Sequence, residues 1–296
     1  MKKTLLVAAV ATAMSGAASA ADIYGNIRLG LQQTETAGEL DTSSGKLVLG
    51  AKGSEDLGNG MALRYGLELE NDSADTEKSG WSNDKSYVGL GGGFGEIILG
   101  EFGDFAGWAC GGTDILIHGT DEACDSVHNT SPSNAIQYRG GNDSFNFGVA
   151  MINDNSGEMS SLAGVQFATD NFSVGAQMAS SGDAPGGLAS GGVPQGETGT
   201  LIGGTFTLGE IILGVVVADS GEDDDEAAAS FGVQIPLGGG TVAAVVTSGD
   251  NADDSQESVD LLYSAGLGEA GYWGVEINTV DSWDDDRVTG FIGTTF

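Results

Sequence analysis

The connections between candidate strands alternate between short and long along the whole chain, and this alternation constrains the fold more than any other feature. One set is tight and rich in Gly, Asn or Asp, at 58–60, 91–93, 140–143, 169–171, 208–209, 237–239 and 267–269. The other set is longer and acidic, at 34–45, 71–84, 103–133, 153–159, 181–197, 220–226, 249–256 and 281–286. Membrane-spanning β-barrels have short turns at one end and longer loops at the other, whereas a secreted β-sandwich has no reason to sort its loops by length. The alternation therefore predicts an all-β, antiparallel transmembrane barrel.

The segments between these connections alternate apolar and polar residues with the period of two that is typical of β-strands. Most of them offer the roughly 9–11 residues that a tilted strand needs to cross a membrane. The pattern predicts sixteen strands, near 22–33, 46–53, 61–70, 85–91, 95–102, 134–140, 143–152, 160–169, 171–180, 198–208, 210–219, 227–237, 240–248, 257–267, 270–280 and 287–296.

The two faces of the first predicted strand differ in polarity. Ile23, Ile27 and Leu29 share one face, whereas Asn26 and Arg28 share the other. A barrel of sixteen strands encloses a lumen that is too wide to fill with side chains, so the polar face is expected to be the inner one. Aromatic residues that would form girdles on the lipid-facing side are Tyr24, Tyr65, Tyr138, Phe206, Tyr263 and Tyr272.

The N-terminus carries the features of a secretory signal peptide. Lys2 and Lys3 precede an apolar run at 5–13, and Ala18 and Ala20 form a small-residue cleavage pattern. We therefore expect residues 1–20 to be removed, which leaves the barrel domain at 21–296. No other stretch approaches the roughly 18 consecutive apolar residues of a membrane helix.

The charge of the chain is strongly acidic. The ten Lys and Arg residues include Lys2 and Lys3, so the predicted mature chain has 8 basic and 43 acidic residues, a formal net charge of −35. Such a surface repels phosphate backbones, which excludes nucleic acid as a partner. It is compatible with a high-salt habitat, with divalent-ion binding, or with a pore that prefers cations.

Three acidic runs, at 222–226, 250–257 and 281–286, invite a calcium interpretation. Oxygen-rich clusters bind Ca²⁺, and divalent ions would also bridge such loops to anionic lipopolysaccharide. The spacing matches no dedicated calcium loop, so solvated acidic loops are the simpler interpretation and no cofactor is required. The candidate calcium ligands are Glu222, Asp223, Asp224, Asp225, Asp284, Asp285 and Asp286.

Motifs for covalent chemistry do not occur where their structural context would require them. The chain has no nucleophile elbow, no zinc-protease helix motif and no phosphate-binding loop in such a context. We therefore expect that the protein is not an enzyme.

Several segments, in order, resemble the general trimeric porins of Gram-negative bacteria. Residues 22–30 (DIYGNIRLG) look like the first strand of the family, and residues 53–60 (GSEDLGNG) look like its first short turn. Residues 87–90 (YVGL) and the following 94–100 look like its fourth and fifth strands, and the terminal Phe296 resembles the signal for barrel assembly. Two positions depart from the family pattern: Glu101 stands where relatives usually have Arg, and Thr294 stands at an outward position that is often aromatic.

The resemblance implies a homotrimer in the outer membrane, in contact with lipid and lipopolysaccharide, whose third extracellular loop folds inward and narrows the pore. Here the loop that follows the fifth strand, 103–133, is the longest. A loop of such length without structure of its own is usually functional.

The residues that would line this constriction are charged. A pore selects by size and by the charges along its narrowest part, and acids on the loop opposite bases on the wall would orient dipolar solutes. Arg28 and Arg64 are the strongest individual candidates, although scattered solvated charges are the alternative. The expected constriction residues are Arg28, Lys46, Lys52, Arg64, Lys85 and Arg139 on the wall, and Glu101, Asp104, Asp114, Asp121, Glu122 and Asp125 on or beside the loop.

Cys110 and Cys124 are the two cysteines of the chain, and both lie in the long loop. In an oxidising compartment we expect a disulfide between them, worth about 3 kcal/mol in the chain-entropy model for a span of this size. The alternatives are two free thiols, or a metal site that also uses His118 and His128.

Together these features favour an outer-membrane channel for passive diffusion of small hydrophilic solutes and ions, with a preference for cations because of the net charge and Glu101. The alternative is a non-conducting acidic β-protein that serves adhesion or calcium binding. That alternative would explain the charge, but neither the long inner loop nor the alternation of short and long connections.

Overall fold

The computed structural model describes residues 21–34, 40–41, 45–72, 80–116, 122–125, 127, 134–153, 159–182, 193–194, 196–221, 227–251, 254–280 and 286–296. The strands in this part of the chain are β1 (Asp22–Thr34), β2 (Leu40–Asp41), β3 (Lys46–Gly58), β4 (Met61–Asp72), β5 (Ser82–Gly92), β6 (Gly95–Glu101), β7 (Ala135–Gly141), β8 (Phe145–Asn153), β9 (Met159–Ala168), β10 (Phe172–Ser180), β11 (Thr198–Leu208), β12 (Ile211–Asp219), β13 (Ala228–Leu237), β14 (Gly240–Asn251), β15 (Asp254–Leu267), β16 (Gly271–Val280) and β17 (Arg287–Thr295). Two short helices, α1 (Gly107–Cys110) and α2 (Glu122–Asp125), lie between β6 and β7.

The strands form one closed antiparallel barrel. Each long strand pairs with its neighbours in the chain, and β1 pairs with β3 on one side and with β17 on the other. At the closure Asn26 lies opposite Thr295, and the Gly25 amide donates to the Phe296 carbonyl oxygen at 3.0 Å. Without the two-residue β2, which adds to β1 at Gln32 and Gln33, sixteen strands close the barrel. The predicted barrel of sixteen strands is confirmed.

Each predicted segment overlaps one long strand, but several strands extend past their predicted ends. β3 continues to Gly58, and β14 and β15 continue to Asn251 and Asp254 through most of the predicted loop 249–256. Beyond the bilayer both faces of a strand meet water, so backbone pairing continues there without the apolar alternation on which the prediction depended.

The outer face of the barrel is apolar. Large apolar side chains at every second position are exposed, for example Val149, Val165, Ile202 and Val215, whereas the intervening positions point inward. A free-standing soluble protein rarely exposes so continuous an apolar surface.

Two of the predicted girdle aromatics are inside the barrel, so that prediction was wrong for them. The Tyr24 hydroxyl donates to the Glu68 carboxylate at 2.6 Å, and the Tyr272 hydroxyl donates to the Asn26 side chain at 2.9 Å. Both lie in phase with the polar positions of their strands, because the period of two places Tyr24 on the same face as Asn26 and not on that of Ile23.

The described residues of the long connection between β6 and β7, at 102–116, 122–125 and 127, lie inside the barrel. α1 packs against β9 to β12 and α2 against β12 to β14, strands that this connection reaches by crossing the lumen. Further along, Ile115 and Leu116 contact a buried cluster of Ala243, Leu262 and Phe291 on the opposite wall. The prediction of an inward-folded loop is therefore confirmed. Among the described residues, no helix combines the length and the apolar character that crossing a bilayer requires.

Candidate functional site

We define the inner loop as the described residues within 103–127, namely 103–116, 122–125 and 127. It is attached to the wall where it begins. The Gly103 carbonyl oxygen accepts a hydrogen bond from the Arg139 guanidinium at 2.9 Å and another from the Gln137 amide at 3.4 Å, both from β7. The Phe105 side chain is fully buried, and the Arg139 guanidinium lies 5.7 Å from the centre of its ring. The loop therefore enters the lumen against the side of β7 and β8.

Gln177 on β10 holds both ends of the inner loop. Its side-chain oxygen accepts from the Phe105 amide at 2.8 Å, and its side-chain nitrogen donates to the Val127 carbonyl oxygen at 2.9 Å. The same nitrogen lies 3.3 Å from the Asp104 carboxylate. One buried amide thus satisfies backbone groups on both arms of the loop, which an apolar side chain at this position would leave without partners.

A disulfide joins the two helices of the loop. Cys110 at the end of α1 is bonded to Cys124 in α2, with 6.0 Å between their Cα atoms, and both residues are buried. The expected disulfide is confirmed, and the interpretations as free thiols or as a metal site are excluded by the bond itself. His118 and His128 lie outside the described residues.

The bases predicted for the wall lie on five strands, β1, β3, β4, β5 and β7, at inward positions. Three of them pair with acids on the same wall: Lys46 with Glu70 at 2.8 Å, Arg64 with Glu96 at 3.2 Å, and Lys85 with Glu68 at 2.5 Å. Lys85 also contacts Asp84 at 3.0 Å. Because each of these bases is neutralised by a wall acid, the wall is far less positive than a count of its Lys and Arg residues suggests.

The remaining wall bases are held differently. Arg28 lies opposite Lys46 in the pairing of β1 with β3, and its buried Nε has no hydrogen-bond partner among the described residues. The Lys52 ammonium lies 5.2 Å from the centre of the Tyr24 ring. Arg139 is within electrostatic range of both Glu96 on β6 and Asp104 of the inner loop.

The other acids predicted for the constriction differ in their surroundings. Asp114 is exposed in the segment that follows α1, and Glu101 accepts a hydrogen bond from Asn83 at the loop end of β6. Glu122 and Asp125 belong to α2, but their side chains lie outside the described part of the structure. Asp121 lies outside it entirely. Asp104 interacts electrostatically with Arg139 of the wall, and the roles of all these acids in the constriction stay predictions.

Sequence reasoning missed the acids of the wall and the amide that anchors the loop. Glu68 and Glu70 lie in phase with Arg64 on β4, so the period of two indicates their inward face, but the base that each acid meets depends on the register between neighbouring strands. Glu96 is on β6, which has no Lys or Arg of its own. Gln177 gave no such signal, because its partners Phe105 and Val127 are 72 and 50 residues away in the chain.

A calcium site receives no support from the described residues. Nowhere in the described ranges do three or more His, Cys, Asp or Glu side chains converge as metal ligands would. The candidate ligands at 222–225 and at 284–285 lie outside those ranges, and Asp286 is exposed.

Comparison with known proteins adds a family and a set of relatives. The family model described as Gram-negative porin matches residues 6–282. The major outer membrane protein P.IB of Neisseria meningitidis serogroup B is 34% identical over 112 residues, a match that covers 34% of this chain and 34% of the relative. The chain therefore aligns with about a third of the length of these curated relatives.

Solved structures match the chain along nearly its whole length. OmpF of Salmonella typhi, in complex with daunomycin, superposes with a TM-score of 0.76 at 15% identity and covers 94% of this chain and 98% of its own. The anion-selective porin from Comamonas acidovorans superposes with a TM-score of 0.69 at 21% identity, with coverage of 94% and 100%. At these identities the likeness concerns the fold.

Proposed function

The chain belongs to the Gram-negative porin family, whose model matches residues 6–282, and from this premise we propose that it forms a water-filled channel for passive diffusion through the outer membrane. The observation that carries the proposal is the inner loop, whose described residues extend across the lumen of a closed barrel with an apolar outer face. A barrel of this width is too large to be filled by its own wall, so a loop inside it determines what passes.

The channel works without chemistry. Solutes are selected by the cross-section that remains beside the inner loop and by the charges that line it. Small hydrophilic solutes and ions fit such a pore, and membership of a channel family supports the expectation that the protein is not an enzyme.

The channel prefers cations. Lys46, Arg64 and Lys85 are paired with wall acids, which removes much of the positive charge that would attract anions. The mature chain carries 43 acidic against 8 basic residues once Lys2 and Lys3 are removed, and an acidic surface concentrates cations at the pore mouth. In this respect the chain is proposed to differ from the anion-selective porin of Comamonas acidovorans, which shares its fold.

Export, assembly and surroundings belong to the same proposal. Residues 1–20 direct the chain to the secretory pathway and are removed, which leaves residues 21–296 as the barrel. The mature chain assembles as a homotrimer, as its resemblance to general porins implies, in contact with outer-membrane lipid and lipopolysaccharide.

The direct test of the selectivity is a reversal potential measured across a planar bilayer in a KCl gradient. The proposal predicts open channels with a potential of the sign that K⁺ permeation gives. The potential should shrink as both salt concentrations rise, because the Debye length falls from about 10 Å at 0.1 M to about 3 Å at 1 M. Open channels with the opposite sign would retain the channel and reject the cation preference, whereas a folded barrel without conductance would reject the channel.

A further inference from the structure

Six strands in a row carry a glycine on their inner face beneath the inner loop. These glycines form directly opposed pairs in the sheet, Gly148 with Gly164, Gly175 with Gly203, and Gly214 with Gly232. Between the pairs the path shifts by two residues along the strands, because Gly164 lies opposite Gln177 and Gly203 lies opposite Val216. We call this set the glycine track. It comprises Gly148, Gly164, Gly175, Gly203, Gly214 and Gly232.

Each glycine of the track is in contact with the inner loop. The Phe105 ring lies over Gly148 and Gly164, and the Trp108 and Ala109 backbone lies over Gly175. An added Cβ on Gly203 would lie 2.7 Å from the Ala109 carbonyl oxygen, and one on Gly232 would lie 2.5 Å from the Gly112 carbonyl oxygen. Such distances are shorter than van der Waals contact, so the loop occupies space that any other residue would need.

The contacts toward the far end of the track involve backbone, which cannot rotate away. A Cβ on Gly175 would lie 2.5 Å from the Trp108 carbonyl carbon, and one on Gly214 would lie 2.5 Å from the Gly112 Cα. Gly112 is itself pressed against the wall, since a Cβ there would lie 2.6 Å from the Gly214 Cα. The wall and the loop therefore meet backbone to backbone, the closest approach that two segments of chain can make.

The reason for glycine at these positions is space and not conformation. The track glycines have φ values outside the left-handed region that disfavours other residues, in contrast to Gly209 and Gly238 in the short turns, with φ of 65° and 61°. Alanine would suit the strand backbone of the track equally well. What it would not permit is the present distance between the wall and the loop.

We propose that the glycine track is the element that sets the open cross-section of the pore, because it lets the inner loop lie against the wall of β8 to β13. The proposal rests on the channel function proposed above. The loop is tied at both ends to Gln177 and internally by its disulfide, so a wall that pushes on it displaces it toward the centre of the lumen. The track glycines are positioning residues, since they act on solutes through the loop.

The test is the conductance of Gly175→Ala and Gly214→Ala channels in planar bilayers, together with the rate at which sugars of increasing size swell liposomes that contain them. Gly266→Ala is the matched control, because Gly266 is on the inner face of β15 with no atom near its added Cβ. The proposal predicts a lower conductance in the track variants and slower entry of the larger sugars, with wild-type values for Gly266→Ala. Conductance and sugar entry equal to wild type in both track variants would overturn it.

A second pair of variants keeps the proposal testable if Gly175→Ala or Gly214→Ala fails to fold. The Cβ that Gly148→Ala adds would lie 2.5 Å from Cζ of the Phe105 ring. Phe105→Leu removes this end of the ring. The proposal predicts that Gly148→Ala lowers the conductance and that the double variant restores it, a coupling that independent effects would not give. A reduced conductance that Phe105→Leu does not restore would overturn the proposal. Conductance that is absent from the folded wild-type barrel would instead count against the channel function itself.

Discussion

Gln177 illustrates what one side chain contributes to the site. A buried primary amide has donors and an acceptor, and here they face two backbone segments that have no strand partner, at Phe105 and Val127. Water does not reach the Gln177 amide, since only 2% of the residue is exposed. The residue therefore stabilises a particular position of the inner loop and not merely its presence inside the barrel.

Replacement of Gln177 by Met should loosen the inner loop. The side chain is similar in length but leaves the Phe105 amide and the Val127 carbonyl without partners, at a cost of about 1–3 kcal/mol for each buried group. Hydrogen exchange followed by mass spectrometry should show faster exchange in peptides that cover 103–113, while the strands retain their protection. Gln166→Met is the control, because Gln166 lies on the inner face of β9 and accepts from Asn146. Equal exchange in the two variants would contradict the role of Gln177.

The Arg64–Glu96 pair permits a test of the wall charges in which the two single variants should change the ion selectivity in opposite directions. The Arg64 side chain is 57% exposed, so the pair contributes about 0–1 kcal/mol to stability and its disruption should leave the barrel folded. Arg64→Gln leaves Glu96 without this partner and should increase the cation preference, and Glu96→Gln should decrease it. Reversal potentials in a KCl gradient measure both.

Glu210→Gln provides the control for this experiment, since it removes one negative charge at an exposed turn, away from the constriction. It should change the reversal potential less than Glu96→Gln does. If Arg64→Gln and Glu96→Gln moved the potential in the same direction, the pair would not lie in the ion path.

At the scale of elements, the disulfide should order the inner loop without being needed for the barrel. The strand ladder does not include Cys110 or Cys124, so the double variant Cys110→Ala and Cys124→Ala should still fold. Loss of the bond should release about 3 kcal/mol of chain-entropy restraint and appear as larger current fluctuations in open channels. Alkylation before and after reduction verifies the bond in the wild type, and fluctuations equal to wild type in the double variant would contradict its ordering role.

The strands could be predicted from the sequence, whereas the part of the wall that the inner loop contacts could not. Alternation of apolar and polar residues is local, so it revealed β1 and its inner residues Asn26 and Arg28 directly. The contact of Gly214 with Gly112 joins residues that are far apart in the chain, and no periodicity within either segment encodes it. Glycines occur both in the short turns and within the strands, but which of the strand glycines face the inner loop is visible only in the barrel.

The face on which each basic residue of the wall lies could be predicted from the sequence, but the acid that pairs with it could not. The inward phase of the strands predicts that Lys46, Arg64 and Lys85 face the lumen, because the period of two fixes the face of a residue. Their partners depend on the register between neighbouring strands, which brings Glu68 opposite Lys85 across β4 and β5. Register follows from the turns and the pairing of the whole sheet, so the neutralisation of the wall emerged with the structure.

At the scale of the whole molecule, we propose that a loop inside the closed barrel limits a pore that is otherwise wide. The ends of the inner loop are close together, since the Phe105 amide and the Val127 carbonyl both bind Gln177. A short Gly-Ser linker can therefore replace residues 106–126 without a change in the strands.

The most direct measurement compares single-channel conductance of the wild-type mature protein with that of this loop-excised variant, after refolding of both has been verified. We expect stepwise insertion of open channels by both proteins, with larger steps for the excised variant because the constriction is gone. Wild-type barrels that are folded and do not conduct, or an excised variant whose steps are no larger than those of the wild type, would contradict the proposal.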